Sequence, residues 1–555
     1  MSGRAPFHAR RSVRVGAAAT ASVLVAGGVL ATQLSPTTAA TGTPKLTREQ
    51  VAETLLARRG EYLSPGALAG LRFLAGKNRP GGLVGEGDEP AAGRAGAATN
   101  RAAGAAVASA GLKNVRVNDP RADRTLEQTT QSETAIAVKG KRVVVGFNDS
   151  QQVYPGGFLT AAANLTGVAY SADGGKTFTD AGTLPQGPGQ INLGDPWLGV
   201  DRKGVFYYSE LVISGESGGL EIGVSTSKDG ARWTVPTYAS PNDPALFYSG
   251  DKEALTVGRS KASAAKDTVY VAWDDFVDDG QGGFFAGLPV ARSQDGGRTF
   301  QLAYADKITS DPSSCSFGQY IGSQPSVDPA TGDLTVVSVR IAVDDPTCEG
   351  GTEAFDIVSV TSKDGGVTFT KPVVVATVGD FASIDLGPGQ VARNLPLPTV
   401  TRLGSTLVTA WNEGPQGAMH TLWSASKDGG ATWSATVPVP SPAGEDFQPA
   451  LSADAAGLHL AAYHKNPDLT VDVLLSDSKN GTAWTTKRVT TKAFPGVFNN
   501  PQFDPVIATG YMGDYIANVA TDGGLYLAWG DNRDIVKNSL WPAGRHDPDV
   551  FFAKR

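Results

Sequence analysis

The chain has 555 residues, a formal net charge of −7 and only 19% charged residues. That balance offers no basic face to nucleic acid or to an anionic membrane. Gly numbers 68 and Pro 34, which excludes a chain built of long helices and suits many short strands joined by turns.

The N-terminus reads as a targeting segment. Arg4, Arg10, Arg11 and Arg14 form a positive region, Val15 to Leu30 is apolar or small, and Thr38-Ala39-Ala40 is a small-residue exit. Residues 1–40 are therefore assigned to a secretory signal peptide, and the mature protein is expected outside the cell. The Arg10-Arg11 pair leaves the general and the twin-arginine export routes both open. No later stretch reaches about 18 uninterrupted apolar residues, so no membrane span is expected in the mature chain. Within residues 41–112, Thr47-Arg48-Glu49-Gln50 is a capping box that opens a short helix through Arg59. Leu68 to Leu74 reads as a second short helix, and an Ala/Gly-rich stretch follows. The whole of 41–112 reads as a flexible N-terminal segment.

From residue 113 the pattern turns to strands, and they come in sets. ETAIAVKG, KRVVVGFND and LTGVAYSADGGKTF make the first; DPWLGVDRKG, VFYYSELV and EIGVSTSKDGARW make the second. Five more sets follow, and the seventh (DYIANVATDG, GLYLAWGDNRD, DPDVFFAKR) has three strands only. KNVRVND at 113–119 is strand-like, belongs to no set, and is expected to supply the outer strand of the last one. A period of roughly 50 to 70 residues with four strands per unit predicts an all-β β-propeller of antiparallel blades over 113–555. Seven blades are preferred, with six as the alternative. One small sheet cannot bury both its faces, whereas sheets stacked about an axis can.

One phrase returns along this region. SADGGKTF stands at 171–178, SQDGGRTF at 293–300, SKDGGVTF at 362–369 and SKDGGATW at 426–433. Shortened copies are SKDGARW at 227–233 and SKNGTAW at 478–484. Asp173, Asp229, Asp295, Asp364, Asp428 and Asn480 sit where a side-chain oxygen can accept from amides two or three residues on. The glycines supply positive φ, and the aromatic packs between sheets. A turn is needed once per blade and a catalytic site is not, so the phrase is read as structural.

The pattern S-x-D-x-G-x-T-[FW] resembles the Asp-box, or BNR repeat, of sialidase-like propellers. The resemblance covers residues 130–490 and carries the fold. It implies glycan-directed action outside the cell, as an exo-sialidase or a related glycoside hydrolase, with an extracellular glycan or glycoprotein as partner. The alternative is a non-catalytic propeller that binds glycan or protein. Sialidases grip the substrate carboxylate with three arginines, the first in an R-I-P tripeptide; this chain has Ser132-Glu133-Thr134 there. Arg340, Arg393 and Arg533 are the candidates for such a triad. For hydrolysis by a carboxylate pair, Asp195, Asp251, Glu253 and Asp514 are the candidates, and Glu133 shares their face of the channel. Trp273, Trp411 and Trp529 recur at one equivalent position, which reads as packing between blades rather than sugar stacking. Cys315 lies before the first strand of the fourth set and Cys348 after its second, so a disulfide is expected. The clustered carboxylates leave Ca²⁺ open as a ligand although no Ca²⁺-loop spacing is present; no metal site or other cofactor is indicated, and a monomer is expected.

Overall fold

The computed structural model describes residues 46–77, 107–121, 130–150, 159–160, 162–280, 283–311, 314–387, 390–496, 512–539 and 541–555. The assigned signal peptide and most of the Ala/Gly-rich stretch lie outside the described residues.

The described chain is nearly all β, in four-stranded antiparallel groups whose strands follow one another in sequence. Unit one runs through Gln131–Lys139, Arg142–Asp149, Thr166–Ser171 and Thr179–Thr183. Unit two runs through Ile191–Val200, Phe206–Ile213, Leu220–Ser227 and Thr237–Tyr238. Unit three comprises Phe247–Arg259, Asp267–Asp278, Phe284–Ser293 and Gln301–Thr309. Unit four comprises Phe317–Val327, Leu334–Asp344, Thr352–Ser362 and Val373–Val378. Unit five comprises Thr399–Leu403, Thr406–Glu413, His420–Ser426 and Val437–Pro438. Unit six comprises Glu445–Asp454, Gly457–Lys465, Thr470–Ser478 and Thr485–Arg488. Unit seven has Ala517–Thr521, Gly524–Val536 and Arg545–Lys554 from the end of the chain. Its outer strand is Asn114–Arg116, with Val115 opposite Phe552. Asn118 Nδ2 donates to Asp549 Oδ1 at 2.8 Å and Arg116 pairs with Asp534, so side chains hold this strand as well as the ladder does.

Burial follows strand order. Phe206–Ile213 is buried at every position, because its two faces meet neighbouring sheets, and Thr179–Thr183 is buried at none. The first strand of each unit touches the first strand of the next, and that of unit seven touches that of unit one. Trp273, Trp411 and Trp529 are fully buried, which makes them packing residues and rules them out as sugar platforms.

The N-terminal helices are not a free tether. Helix α1, Arg48–Arg59, opens with the expected capping box: Thr47 N donates to Gln50 Oε1 at 2.9 Å and Gln50 N to Thr47 Oγ1 at 3.3 Å. Helix α2, Pro65–Leu74, begins three residues before the expected Leu68, because Ser64 caps it and Pro65 occupies its first position. Every residue from Pro65 to Leu71 is buried. A Cβ on Gly66 would stand 2.8 Å from the Leu193 carbonyl, and one on Gly70 2.2 Å from Leu220 Cδ2. The small face of α2 therefore lies directly on unit two. Arg59 is buried between the rings of Phe276 and Phe317, 4.9 and 4.7 Å from their centroids, and donates to Ser310 Oγ at 2.6 Å. Flexibility as a description of 41–112 thus fails for Leu46–Lys77, where apolar burial outweighs the entropy of a loose chain. Cys315 and Cys348 are joined by a disulfide with Cα atoms 5.3 Å apart.

Candidate functional site

The first strands carry a repeated irregularity near their beginnings. Antiparallel pairing slips between Ser132 and Ala135, Gly194 and Trp197, Asp251 and Ala254, Ile321 and Gln324, and Phe447 and Ala450. At these bulges stand Glu133, Asp195, Lys252 and Gln448, all with φ between 47° and 57°, and Gly322 with φ 64°. A left-handed backbone costs a non-glycine residue about 1 kcal/mol or more and persists where surrounding structure imposes it, often at functional sites. Here it brings one residue from each of several units toward a common centre.

Those residues are bonded to one another. Glu133 accepts from Asn148 Nδ2 at 2.6 Å through one carboxylate oxygen and from the Asp514 amide at 2.9 Å through the other. Asn148 Oδ1 accepts from the Asp195 amide at 2.8 Å. Lys252 Nζ and Arg393 Nη2, the latter at 2.8 Å, share one oxygen of Asp514. Tyr515 donates to the Pro196 carbonyl at 2.9 Å and its ring lies 5.5 Å from Trp197. In the middle is a cavity of about 40 Å³, lined among others by Asp195, Trp197, Lys252, Glu253, Gln448 and Asp514. That is room for water rather than for a sugar ring.

The carboxyls here divide by environment. Asp195 and Glu253 are 2% and 3% exposed. No donor among the described residues reaches Asp195, and only Glu253's own amide lies near its carboxylate. Burial first, then the charges of Glu133 and Asp251, pushes Asp195 far above the usual carboxylate range. Glu253 rises for the same first reason, with Asp251 and Glu210 adding to it. Asp514 is as deeply buried, but the charges of Arg393 and Lys252 outweigh burial and hold it below its usual value. Two carboxyls pushed toward the protonated form and one held toward the ionised form thus face one cavity.

The other residues expected at this site are placed as follows. Asp251 accepts from the Ser64 amide at 2.8 Å and from the Lys252 amide at 2.9 Å, so it anchors the start of α2. The three arginines do not come together. Arg393 reaches Asp514, but Arg340 pairs across its own sheet with Asp356 at 2.7 Å. Arg533 is bonded to Asp531, Asn114 and Thr491 and lies 4.4 Å over Phe551 in unit seven. Lys252 and Asn148 are the residues that sequence reasoning missed. The usable signal was positional: Ser132-Glu133-Thr134, Gly194-Asp195-Pro196 and Asp251-Lys252-Glu253 occupy equivalent places, so the middle of each triplet deserved equal weight. Among the described residues no group of three His, Cys, Asp or Glu is placed to hold a metal ion, and no helix is long and apolar enough to cross a membrane.

The repeated phrase is built as its residues suggest. Asp173 accepts from the amides of Lys176 and Thr177 at 2.9 and 3.0 Å and from the Thr177 hydroxyl at 2.7 Å. Asp295, Asp364 and Asp428 accept in the same way from Thr299, Thr368 and Thr432. In the short copies Asp229 takes the Ala231 and Arg232 amides and Asn480 the Thr482 amide. Gly175, at φ 87°, would put a Cβ 2.3 Å from Phe552, so the turn of unit one is pressed against unit seven. Gly481 stands equally close to Trp423 of unit five.

No family model matches the chain, and no curated protein matches it. Among solved structures it is similar to a Hadza microbial sialidase, at 16% identity over 66% of each chain and a TM-score of 0.36. It is also similar to the GH93 α-L-arabinofuranosidase of Fusarium graminearum in complex with arabinobiose, at 11% identity over 80% of this chain and 98% of that one, TM-score 0.41. A third is the Trypanosoma rangeli sialidase in complex with the inhibitor DANA, at 12% identity, 63% and 55% coverage and TM-score 0.36.

Proposed function

We propose that this protein is a secreted, monomeric seven-bladed β-propeller that hydrolyses glycosidic bonds of extracellular glycans at the carboxyl-lined cavity. The ring is supported by the unbroken cycle of contacts between first strands and by the N-terminal strand in unit seven. The chemistry rests on one observation: a single cavity is lined by Asp195 and Glu253, buried without a charged partner and pushed up, and by Asp514, held down by Lys252 and Arg393. Groups pushed apart in this way divide into acid and base at one pH. In this reading Asp195 or Glu253 protonates the leaving oxygen, Asp514 activates water, and the sugar docks at the cavity mouth. A water-sized space between the two roles favours the inverting arrangement. The dispersed arginines argue for a neutral sugar over a sialoside.

The test is turnover of a panel of fluorogenic glycosides, sialosides included, by the mature protein and by Asp195→Asn, Glu253→Gln and Asp514→Asn. Hydrolysis of a neutral glycoside is expected, reduced at least about 100-fold in Asp514→Asn and in one of the other two. Turnover that survives all three substitutions would remove the cavity from the reaction. Absence of turnover across the panel would leave the glycan-binding alternative as the better account.

A further inference from the structure

The first strands of units three, four and five end around a second cavity of about 440 Å³. It shares no lining residue with the carboxyl-lined cavity. Val257, Val327 and Val400 contribute an apolar wall, and Arg202, Arg259 and Arg402 come in from three units. The three guanidiniums are not equally occupied. Arg202 forks onto Asp267 at 2.8 and 2.5 Å and donates to the Ala264 carbonyl at 2.9 Å. Arg402 has a side chain only 6% exposed, yet its contact with Asp328 is long, 3.4 Å; it donates to Thr335 Oγ1 at 3.1 Å, and its Nε has no partner among the described residues. Arg259 forms no ion pair or side-chain hydrogen bond among the described residues. Lys261 nearby is matched by Asp333 at 2.5 Å. The acceptors among the described residues are thus spent on Arg202, Lys261 and part of Arg402, which leaves the Arg259 guanidinium and the Arg402 Nε without an acceptor there.

We infer that this pocket binds a small carboxylate-bearing sugar, its carboxylate on Arg259 and Arg402 and its ring against the three valines. A guanidinium fork matches a carboxylate in geometry and charge, and a pocket of this volume is of the size that holds small ligands. The inference stands whether or not the other cavity hydrolyses glycosides, because it concerns binding at different residues.

The experiment is calorimetric titration of the full mature protein with glucuronate, and with glucose as the neutral control, at low and at physiological salt. Saturable glucuronate binding that weakens with salt, with none for glucose, is expected. Arg259→Gln should weaken it at least about tenfold while leaving the unfolding temperature in place, because Arg259 holds no structural bond. Arg259→Lys, which keeps the charge and loses the fork, should fall between. Failure of glucuronate to bind the unmodified protein, or binding that Arg259→Gln leaves unchanged, would overturn the inference.

Discussion

Asp428 and Asp195 are the same residue type in two regions of one sheet array, and the array treats them oppositely. Asp428 lies exposed in a turn, accepts from Thr432 and Ser426, and is held down at about 2, the Thr432 hydroxyl contributing first. Asp195 lies at the centre, accepts from nothing among the described residues, and is pushed far up by burial. Position alone would have suggested that the buried carboxylate is the well-bonded one. The difference teaches that the turns are built for themselves, from donors within four residues, whereas the centre is built for something else.

The largest test of this contrast is Asp514→Asn. It leaves Lys252 and Arg393 facing each other without their shared carboxylate, and loss of about 3–5 kcal/mol is expected in denaturant unfolding. A loss near zero would mean that the centre is as self-sufficient as the turns.

Next comes pH. Glu210 is buried and pushed up to about 8, burial being the first cause, and Asp275, likewise by burial first, to about 7. Their ordinary values are 4.5 and 3.8, so between those values and the raised ones the folded protein binds more protons than the unfolded chain. Stability should therefore fall as pH rises from about 5 to 8, by up to about 1.4 kcal/mol per pH unit for each group. Glu210→Gln should flatten the slope. The turns work in the other direction: with Asp428 held at about 2, their contribution is lost only as pH falls below the usual carboxylate range. A stability curve that rises from pH 5 to 8 would overturn the first half of this account.

The smallest effect belongs to a single turn. Asp295→Ala removes bonds from Ser293, Arg298 and Thr299, and about 1 kcal/mol of stability is expected to go with them. Glycoside turnover and glucuronate affinity should both stay unchanged, which a chemical role for the turn would not allow.

The turns were legible in the sequence for the reason that makes them robust. Every partner of Asp173 lies within four residues, so the phrase SADGGKTF contains its own explanation. Strand sets, the stray strand at 113–119 and the cysteine pair were legible from periodicity and from antiparallel geometry. The centre was legible only as a list of acidic positions. Which of them are bonded depends on Asn148 from unit one, Lys252 from unit three and Arg393 from the segment between units four and five, and no local pattern encodes that meeting. The docking of α2 was missed for a related reason. Gly66 and Gly70 look like flexibility in a sequence, but against Leu193 and Leu220 they are the absence of an obstacle.

The strand Asn114–Arg116 also sets a clock. It is made early and pairs with residues 551–553, which lie more than 430 residues further along the chain. At about 5–20 residues per second the wait between them is roughly 20 to 90 seconds. During that time Arg545–Lys554 does not yet exist, and the early strand's edge has nothing to pair with. Assembly of unit seven must follow synthesis of Arg545–Lys554, so a cut that removed this strand would deprive Asn114–Arg116 and Gly524–Val536 of their shared partner at once.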